Sequence, residues 1–170
     1  MKNLLIVVLI VVSANIGFAQ ETMTRKEKRE AQKAEQIKKT KLLVESNAWQ
    51  FDAEQMLPTS GKSKTLTTPY NIVVKDGELN SYLPYFGRAY RADYGSTESP
   101  LIFESEIRDY KVEPGKKNDW NITFETKNKN DVLNYNLYIS ESGSSSLRIN
   151  STDRQSISFH GNLVEIEEKK

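Results

Sequence analysis

Short runs of alternating apolar and polar residues fill the chain from Ala48 onward, and they constrain its fold more than any other feature. In one run Trp120, Ile122 and Phe124 share a face, and the polar residues between them share the other. Successive side chains of a β-strand point to opposite faces, so this pattern predicts strands that are buried on one face. The runs are Trp49–Ala53, Tyr70–Lys75, Leu79–Tyr85, Leu101–Glu104, Ile107–Val112, Trp120–Thr126, Val132–Ser140, Ser145–Asn150 and Ser156–Glu165.

The turns between these runs predict antiparallel pairing. Asp76-Gly77 is a strong hairpin signal, because Gly accepts the positive φ that a tight turn needs. About eight strands with one buried face do not remain an open flat sheet, since twist and unpaired edges drive closure. We predict a mainly β fold, either an antiparallel β-barrel or a two-layer β-sandwich, with a lipocalin-like meander among the options. Segments 58–69 and 91–100 are predicted to be long polar loops.

The N-terminus has the pattern of a secretory signal peptide. Lys2 precedes the apolar run Leu4–Val12, and Gly17-Phe18-Ala19 places small residues before Gln20, as at a cleavage site. A transmembrane helix needs about 20 apolar residues, which this run does not supply. We predict a signal peptide at residues 1–19 and a mature chain that is exported to the periplasm or outside the cell, without a stable membrane span.

Residues 20–47 are predicted to form a charged helical arm ahead of a β domain at 48–170. The arm contains no Gly or Pro, and Thr24 with Glu27 matches a capping box. Its apolar stripe is thin, so we expect its first half to be solvated. The arm carries eight basic and five acidic residues, and the β domain carries fifteen basic and eighteen acidic residues. Because the signs are interleaved, a soluble spacer is favoured over an arm for lipid headgroups, peptidoglycan or an acidic partner.

Composition excludes several classes of protein. The 170 residues include no Cys and one His, with 24 basic and 23 acidic residues and a net charge of +1. A chain without Cys forms no disulfide scaffold, Cys-based zinc site or thiol catalytic site. The balanced charge lacks the basic excess that is typical of nucleic-acid binding. We predict no nucleic-acid partner and no cofactor.

The sequence contains no motif of the common catalytic classes. Gly-x-Ser-x-Gly, His-Glu-x-x-His, phosphate-loop and dinucleotide patterns do not occur. The single His160 cannot build a His-rich metal site and fits a surface position at a strand end better. Glu104, Glu106 and Asp109 could form a carboxylate pair or a calcium site, although a solvated strand face is favoured. We predict neither a catalytic site nor a metal site, and therefore no enzyme.

Aromatic rings and arginines are concentrated between Tyr82 and Tyr94. They could form a stacking surface for sugars or an anion site, because rings offer flat faces and guanidinium groups offer convergent donors. The alternative, which we favour for the stretch as a whole, is a strand with both faces covered and Arg88 bonded within the fold. The candidate ligand-binding residues are Tyr85, Arg88, Tyr90, Arg91 and Tyr94.

Two segments resemble a family of exported bacterial proteins known as domain of unknown function 4251. The first is YLPYFGRAY at 82–90, preceded by Met56-Leu57-Pro58 and the Asp76-Gly77 hairpin. The second is NSTDRQSISFHG at 150–161, where the family often has Tyr in place of Phe159. The resemblance covers about 48–161. It implies an exported, mostly β domain and assigns no activity.

These observations together favour a binding protein. We predict a non-enzymatic, exported domain that binds a small apolar or glycan ligand in the periplasm or outside the cell. The alternatives are a protein-interaction or envelope-structural module and, more remotely, a hydrolase with carboxylate chemistry. The partner is accordingly an envelope ligand or an envelope protein.

Overall fold

The computed structural model describes residues 24–91 and 99–166 of the chain. The predicted signal peptide at 1–19 and the candidate residue Tyr94 lie outside the described residues. The described part contains one helix and nine strands. They are α1 (Arg25–Ser46), β1 (Trp49–Pro58), β2 (Lys64–Lys75), β3 (Glu78–Tyr82), β4 (Ile102–Glu106), β5 (Arg108–Pro114), β6 (Trp120–Asn128), β7 (Asp131–Ile139), β8 (Ser144–Ser151) and β9 (Ile157–Val164).

The nine strands form one antiparallel sheet with the order β4-β3-β2-β1-β9-β8-β7-β6-β5. Strands that are consecutive in sequence pair with each other except β4 and β5, and β1 also pairs with β9, so the chain forms a meander that is nearly closed like a barrel. The two edge strands, β4 and β5, follow each other in sequence. Side chains bridge the seam between β4 and β6: Ser105 Oγ donates to the Lys127 carbonyl (3.2 Å), and Asn128 Nδ2 donates to the Pro100 carbonyl (3.0 Å). The mainly β prediction is confirmed in its barrel form.

The predicted Asp76-Gly77 hairpin is confirmed. Both residues have positive φ, 54° and 80°, as a type I′ turn requires. Lys75 pairs with Glu78 across the turn, which sets the register of β2 against β3. The turn therefore fixes which side chains of these two strands face the core.

Two sequence predictions are wrong, and both concern segments where the alternation of buried and exposed residues is absent or broken. Strand β2 begins at Lys64, so the predicted loop 58–69 shortens to 59–63. The first half of β2 is largely solvated on both faces, and its sequence therefore shows no apolar period. Strand β3 ends at Tyr82, because the consecutive residues Leu83 and Pro84 are both buried and Pro84 cannot donate a ladder hydrogen bond. Tyr82 and Phe86 are exposed, so the stretch is not a strand covered on both faces.

The barrel interior is filled by large apolar side chains. Phe124 stacks on Tyr135 with ring centroids 4.5 Å apart and lies 6.4 Å from the Trp49 ring. The most deeply buried large residues are Trp49, Tyr135, Phe51, Phe159, Met56, Ile72, Leu79, Leu83, Ile122, Leu133, Leu137 and Ile139. Removal of this apolar surface from water is the main favourable contribution to folding, and it explains the clean alternation in the sequence.

Helix α1 begins with the predicted capping box. The Thr24 amide donates to Glu27 Oε2 (2.7 Å), and the Glu27 amide donates to Thr24 Oγ1 (3.3 Å). The hydrogen bond from the Thr24 amide holds the pKa of the Glu27 carboxyl below its usual value. Contacts divide the chain into two units, with the boundary between Ala31 and Gln32.

The later turns of α1, from Gln32 on, pack against the barrel. Leu43 and Val44 are buried in the hydrophobic core, and Ile37 is half-buried. Lys33 Nζ lies 2.7 Å from Glu141 Oε1, and Gln36 Nε2 donates to the Ser142 carbonyl (3.1 Å). Residues 24–36 are exposed, which confirms that the first half of the helix is solvated. Within the described residues no helix has the length and apolar character needed to cross a membrane.

Candidate functional site

Two open clefts lie side by side at one rim of the barrel, where β1 ends and β9 begins. The larger, here called the aspartate cleft, has a volume of about 520 Å³ and contains Asp131 and Asp153 in its wall. The smaller, here called the cationic cleft, has a volume of about 450 Å³. Tyr85 and Gly87 belong to both walls and form the ridge between the clefts.

The loop after β3 is held at this rim by backbone hydrogen bonds to the segment before β9. The Tyr90 amide donates to the Asp153 carbonyl (2.7 Å), and the Gln155 amide donates to the Arg88 carbonyl (3.0 Å). The Arg88 amide in turn donates to Gln155 Oε1 (3.2 Å). The two sequence segments at 82–90 and 150–161 therefore meet in space, and together they build the rim.

Tyr85 is a structural wall of the clefts. It is half-buried, and its hydroxyl donates toward the carbonyls of Arg88 (3.1 Å) and Gln155 (3.0 Å). Burial is the largest influence on the Tyr85 phenol and raises its pKa above the ordinary value. The ring folds back over Gly87, where a Cβ atom would lie 2.5 Å from the hydroxyl oxygen. A side chain at position 87 would therefore displace the ridge.

Asp131 organises the aspartate cleft, and sequence reasoning missed it. Oδ1 accepts hydrogen bonds from the Thr152 amide (3.1 Å) and hydroxyl (3.1 Å) and from the Asp153 amide (3.3 Å). The Ser151 hydroxyl donates to both carboxylate oxygens (2.7 and 2.8 Å), and Arg154 Nη1 donates to Oδ2 (3.0 Å). The side chains of Asp131 and Arg154 are only 8% and 15% exposed. A carboxylate so fully hydrogen-bonded fixes the position of the segment 151–154.

The sequence offered little reason to select Asp131. It lies in a turn segment rich in Lys and Asn, where an Asp is common and is usually solvated. Its partners are about twenty residues away in sequence and come together only through the pairing of β7 with β8. Knowledge of that register would have placed Asp131 beside Ser151 and Thr152.

The predicted site residues are divided between the two clefts. Arg91 lines the aspartate cleft, is 84% exposed and lies 3.8 Å from the Asp153 carboxylate. Arg88 lines the cationic cleft. Tyr90 is 68% exposed and lies on the same loop. Tyr94 falls outside the described residues, so its placement stays a prediction.

The carboxylates and the histidine considered for catalysis lie elsewhere. His160 is exposed on β9, and Glu104 and Glu106 are exposed on β4. Neither cleft has any of these three in its described wall. Across residues 24–91 and 99–166 no group of three His, Cys, Asp or Glu side chains is arranged to hold a metal ion.

Comparison with known protein families supports the resemblance carried by the two converging segments. The family model described as Domain of unknown function (DUF4251) matches residues 31–163. The chain belongs to the DUF4251 family. Its fold is similar to the crystal structure of a DUF4251 family protein from Bacteroides eggerthii DSM 20697 at 1.95 Å resolution, with a TM-score of 0.59 and 15% sequence identity. The similarity covers 79% of this chain and 91% of the other. No curated protein sequence matches the chain.

The rim of this DUF4251 domain contains both hydrogen-bonded and exposed side chains. Both oxygens of Asp131 accept hydrogen bonds within the fold, so this carboxylate is already engaged as a structural group. The guanidinium of Arg91 and the rings of Phe86 and Tyr90 are exposed instead. The rim therefore combines a hydrogen-bonded backbone with exposed aromatic rings and an exposed guanidinium group.

Proposed function

We propose that this protein is an exported, non-enzymatic binding domain that takes a glycan at the rim of the barrel. The observation that carries the proposal is the placement of two exposed aromatic rings, Phe86 (52% exposed) and Tyr90 (68% exposed), on a loop held by hydrogen bonds to residues 153–155. Large exposed aromatic side chains on a fixed backbone are costly in water and are typical of recognition surfaces.

A glycan fits the mixture of groups around these rings. Sugar rings present apolar C–H faces that pack on aromatic side chains, and hydroxyl groups that pair with polar side chains. Here Arg91 and Asp153 supply a donor and an acceptor beside the loop. Because the loop is already ordered, less conformational entropy is lost on binding than with a free loop.

The filled barrel interior argues against the small apolar ligand considered from the sequence. A lipocalin-like site would need space between Trp49, Phe124 and Tyr135, but these rings pack against one another. A ligand at the rim, outside the barrel, needs no such space. The glycan is therefore the ligand class that we retain.

The carboxylate chemistry of a hydrolase is also less well supported. A general acid or base needs a carboxylate that can reach a substrate, and Asp131 is held by donors from residues 151–154. Glu104 and Glu106 lie on the exposed face of β4, apart from the clefts. Export is a proposal that rests on the signal-peptide pattern at residues 1–19.

Glycan binding can be tested on the full chain, expressed with its leader and purified after export. We would screen it against an array of bacterial and host oligosaccharides, and then measure affinity for the best ligand by calorimetry. Tyr90→Ala and Phe86→Ala should each weaken binding about tenfold, equivalent to about 1.4 kcal/mol. Tyr138→Ala is the matched control, because Tyr138 is an exposed aromatic on β7 outside both clefts. Absence of any binding on the array, or equal losses in all three variants, would contradict the proposal.

A protein partner is the second candidate, and the same loop favours it. Tyr82, Phe86 and Tyr90 are all exposed large side chains close in sequence, as in the aromatic anchors of protein interfaces. Crosslinking in the producing cell from an unnatural photoreactive residue at position 90 would distinguish the two. A single protein adduct that is lost with Phe86→Ala, together with an empty glycan array, would select the protein partner.

A further inference from the structure

The cationic cleft differs in charge from the rest of the β domain. Its wall contains three basic residues, Lys62, Lys64 and Arg88, and no Asp or Glu among its described lining residues. The β domain as a whole carries fifteen basic and eighteen acidic residues. An excess of positive charge in one cleft of a slightly acidic domain produces a local positive potential, which attracts anions.

Within the described residues, no acidic side chain pairs with Lys62, Lys64 or Arg88, whereas several basic residues elsewhere are paired. Lys33 and Lys39 pair with Glu141 and Glu165, and Arg154 pairs with Asp131. In the part of the chain that the structure describes, the side chains of Lys62 and Arg88 make no hydrogen bond or ion pair. Like charges gathered in one cleft repel one another, and a bound anion would relieve that repulsion.

The cleft is also fixed in position. Lys64 Nζ lies 3.9 Å from the centroid of the Phe86 ring, a cation–π contact that holds the ammonium group at the mouth of the cleft. The Thr59 hydroxyl donates to the Ser156 carbonyl and ties the loop 59–63 to the segment before β9. The Arg88 backbone is bonded to Gln155 at both its amide and its carbonyl. The three basic residues therefore project from anchored backbone on two sides of one cleft.

We propose that the cationic cleft binds an anionic group, a carboxylate, sulfate or phosphate ester, carried by the glycan that occupies the rim. This inference rests on the proposed function, since it assigns the chemical class of the same ligand. The ridge of Tyr85 and Gly87 is common to both clefts, so one chain of sugars can reach the aspartate cleft and the cationic cleft together. The guanidinium of Arg88 is suited to an oxyanion because its planar donors can pair with two oxygens at once.

The test uses simple anions first, so that it does not depend on the identity of the glycan. Sodium sulfate and inorganic phosphate are titrated into the isotopically labelled exported protein, with sodium chloride at matched ionic strength as the reference. The amide signals of Gly61 and Gly87, which lie in the cleft wall, should shift and saturate at millimolar concentrations. Lys62→Gln/Lys64→Gln/Arg88→Gln should weaken this binding at least tenfold. The control variant Lys75→Gln/Lys111→Gln/Lys116→Gln removes the same charge from exposed positions outside the clefts. Its affinity for sulfate and phosphate should stay within twofold of the parent protein's.

The outcome separates this inference from the proposed function. Shifts that follow ionic strength alone, or equal losses in both triple variants, would overturn the anion site even if glycans bind. Saturable sulfate binding with an empty glycan array would support the anion site and contradict the glycan proposal.

Paired probes then identify the anion: an oligogalacturonate for carboxylate, a heparin-derived hexasaccharide for sulfate and a phosphorylated mannose oligomer for phosphate, each against its neutral counterpart. A preference of at least tenfold for one acidic probe, lost in the first triple variant, is expected.

Discussion

Strand β1 connects the two ends of the barrel, and these ends differ in how their charged side chains are paired. Its first residue, Trp49, is fully buried close to the helix, and its last residue, Pro58, lines the cationic cleft. At the helix end, Leu43 and Val44 are buried in the core. Two lysines of the later helix turns, Lys33 and Lys39, pair with Glu141 and Glu165 of the β domain. That end is closed by burial and by charge neutralisation.

The rim end is closed less completely and is held by hydrogen bonds instead. A single buried carboxylate, Asp131, accepts hydrogen bonds from four consecutive residues, and the loop carrying Tyr90 is tied to this segment through its backbone. Lys62 and Arg88 are left exposed beside it. The difference teaches that two kinds of group are separated at the rim: polar hydrogen bonds hold the backbone, while Lys62, Arg88 and Tyr90 keep exposed side chains.

The largest expected effect follows from removal of the rim carboxylate. Asp131→Ala deprives four residues of their acceptor and leaves the poorly exposed Arg154 without its counter-charge, so we expect a loss of about 3–5 kcal/mol in the free energy of unfolding. Asp119→Ala is the control, because Asp119 accepts from Tyr138 and Glu141 at exposed or half-exposed positions and should cost about 1 kcal/mol. Urea denaturation measures both, and equal losses would show that Asp131 is not the organising group.

At the helix end of the barrel, truncation of one leucine should lower the free energy of unfolding, and truncation of its neighbour should leave it nearly unchanged. Leu43→Ala should cost about 2–4 kcal/mol, because it leaves a cavity in the core cluster. Its neighbour Leu42 is exposed, so Leu42→Ala should change the free energy of unfolding by no more than about 0.5 kcal/mol. Comparable urea midpoints for the two variants would mean that the helix does not contribute its buried face to the core.

Alkaline pH should lower the free energy of unfolding through the buried phenol of Tyr135. Burial raises the pKa of the Tyr135 phenol well above its ordinary value, and the nearby hydroxyls of Thr126 and Ser81 lower it only in part. The unfolded chain therefore releases this proton at lower pH than the folded chain. Stability is retained below pH about 10 and falls above it, by up to about 1.4 kcal/mol per pH unit for this group. Urea melts between pH 8 and 11 should show a shallower fall for Tyr135→Phe, and an unchanged slope would contradict this assignment.

The smallest expected effect concerns the ridge. Tyr85→Phe keeps the ring but removes the hydroxyl that donates toward Arg88 and Gln155, so a loss of about 1 kcal/mol is expected. Tyr90→Phe should stay within about 0.5 kcal/mol, because Tyr90 is largely exposed. A larger loss for Tyr90→Phe than for Tyr85→Phe in chemical denaturation would reverse the roles given to these two tyrosines.

Features that depend on near neighbours in the chain could be predicted from the sequence. The alternation of Trp120, Ile122 and Phe124 gives strand β6, Asp76-Gly77 gives the hairpin, and Thr24 with Glu27 gives the capped start of the helix. Each of these rests on an interaction over a few residues, or on burial of every second side chain. Prediction failed in β2 before Tyr70, where both faces are largely solvated and leave no periodic pattern.

The sequence by itself pointed to the stretch from Tyr82 to Tyr94, with Tyr85, Arg88, Tyr90, Arg91 and Tyr94 as candidate binding residues, and indicated a closed β fold. Only the tertiary structure decided between barrel and sandwich, through the pairing of β1 with β9, and only it brought Asp131, Gln155 and Lys62 to that stretch. The physical reason is the distance along the chain. The hydrogen bond from the Tyr90 amide to the Asp153 carbonyl joins residues whose proximity depends on the register of every strand between them. A pattern over a few neighbouring residues carries no information about the combined effect of all those registers.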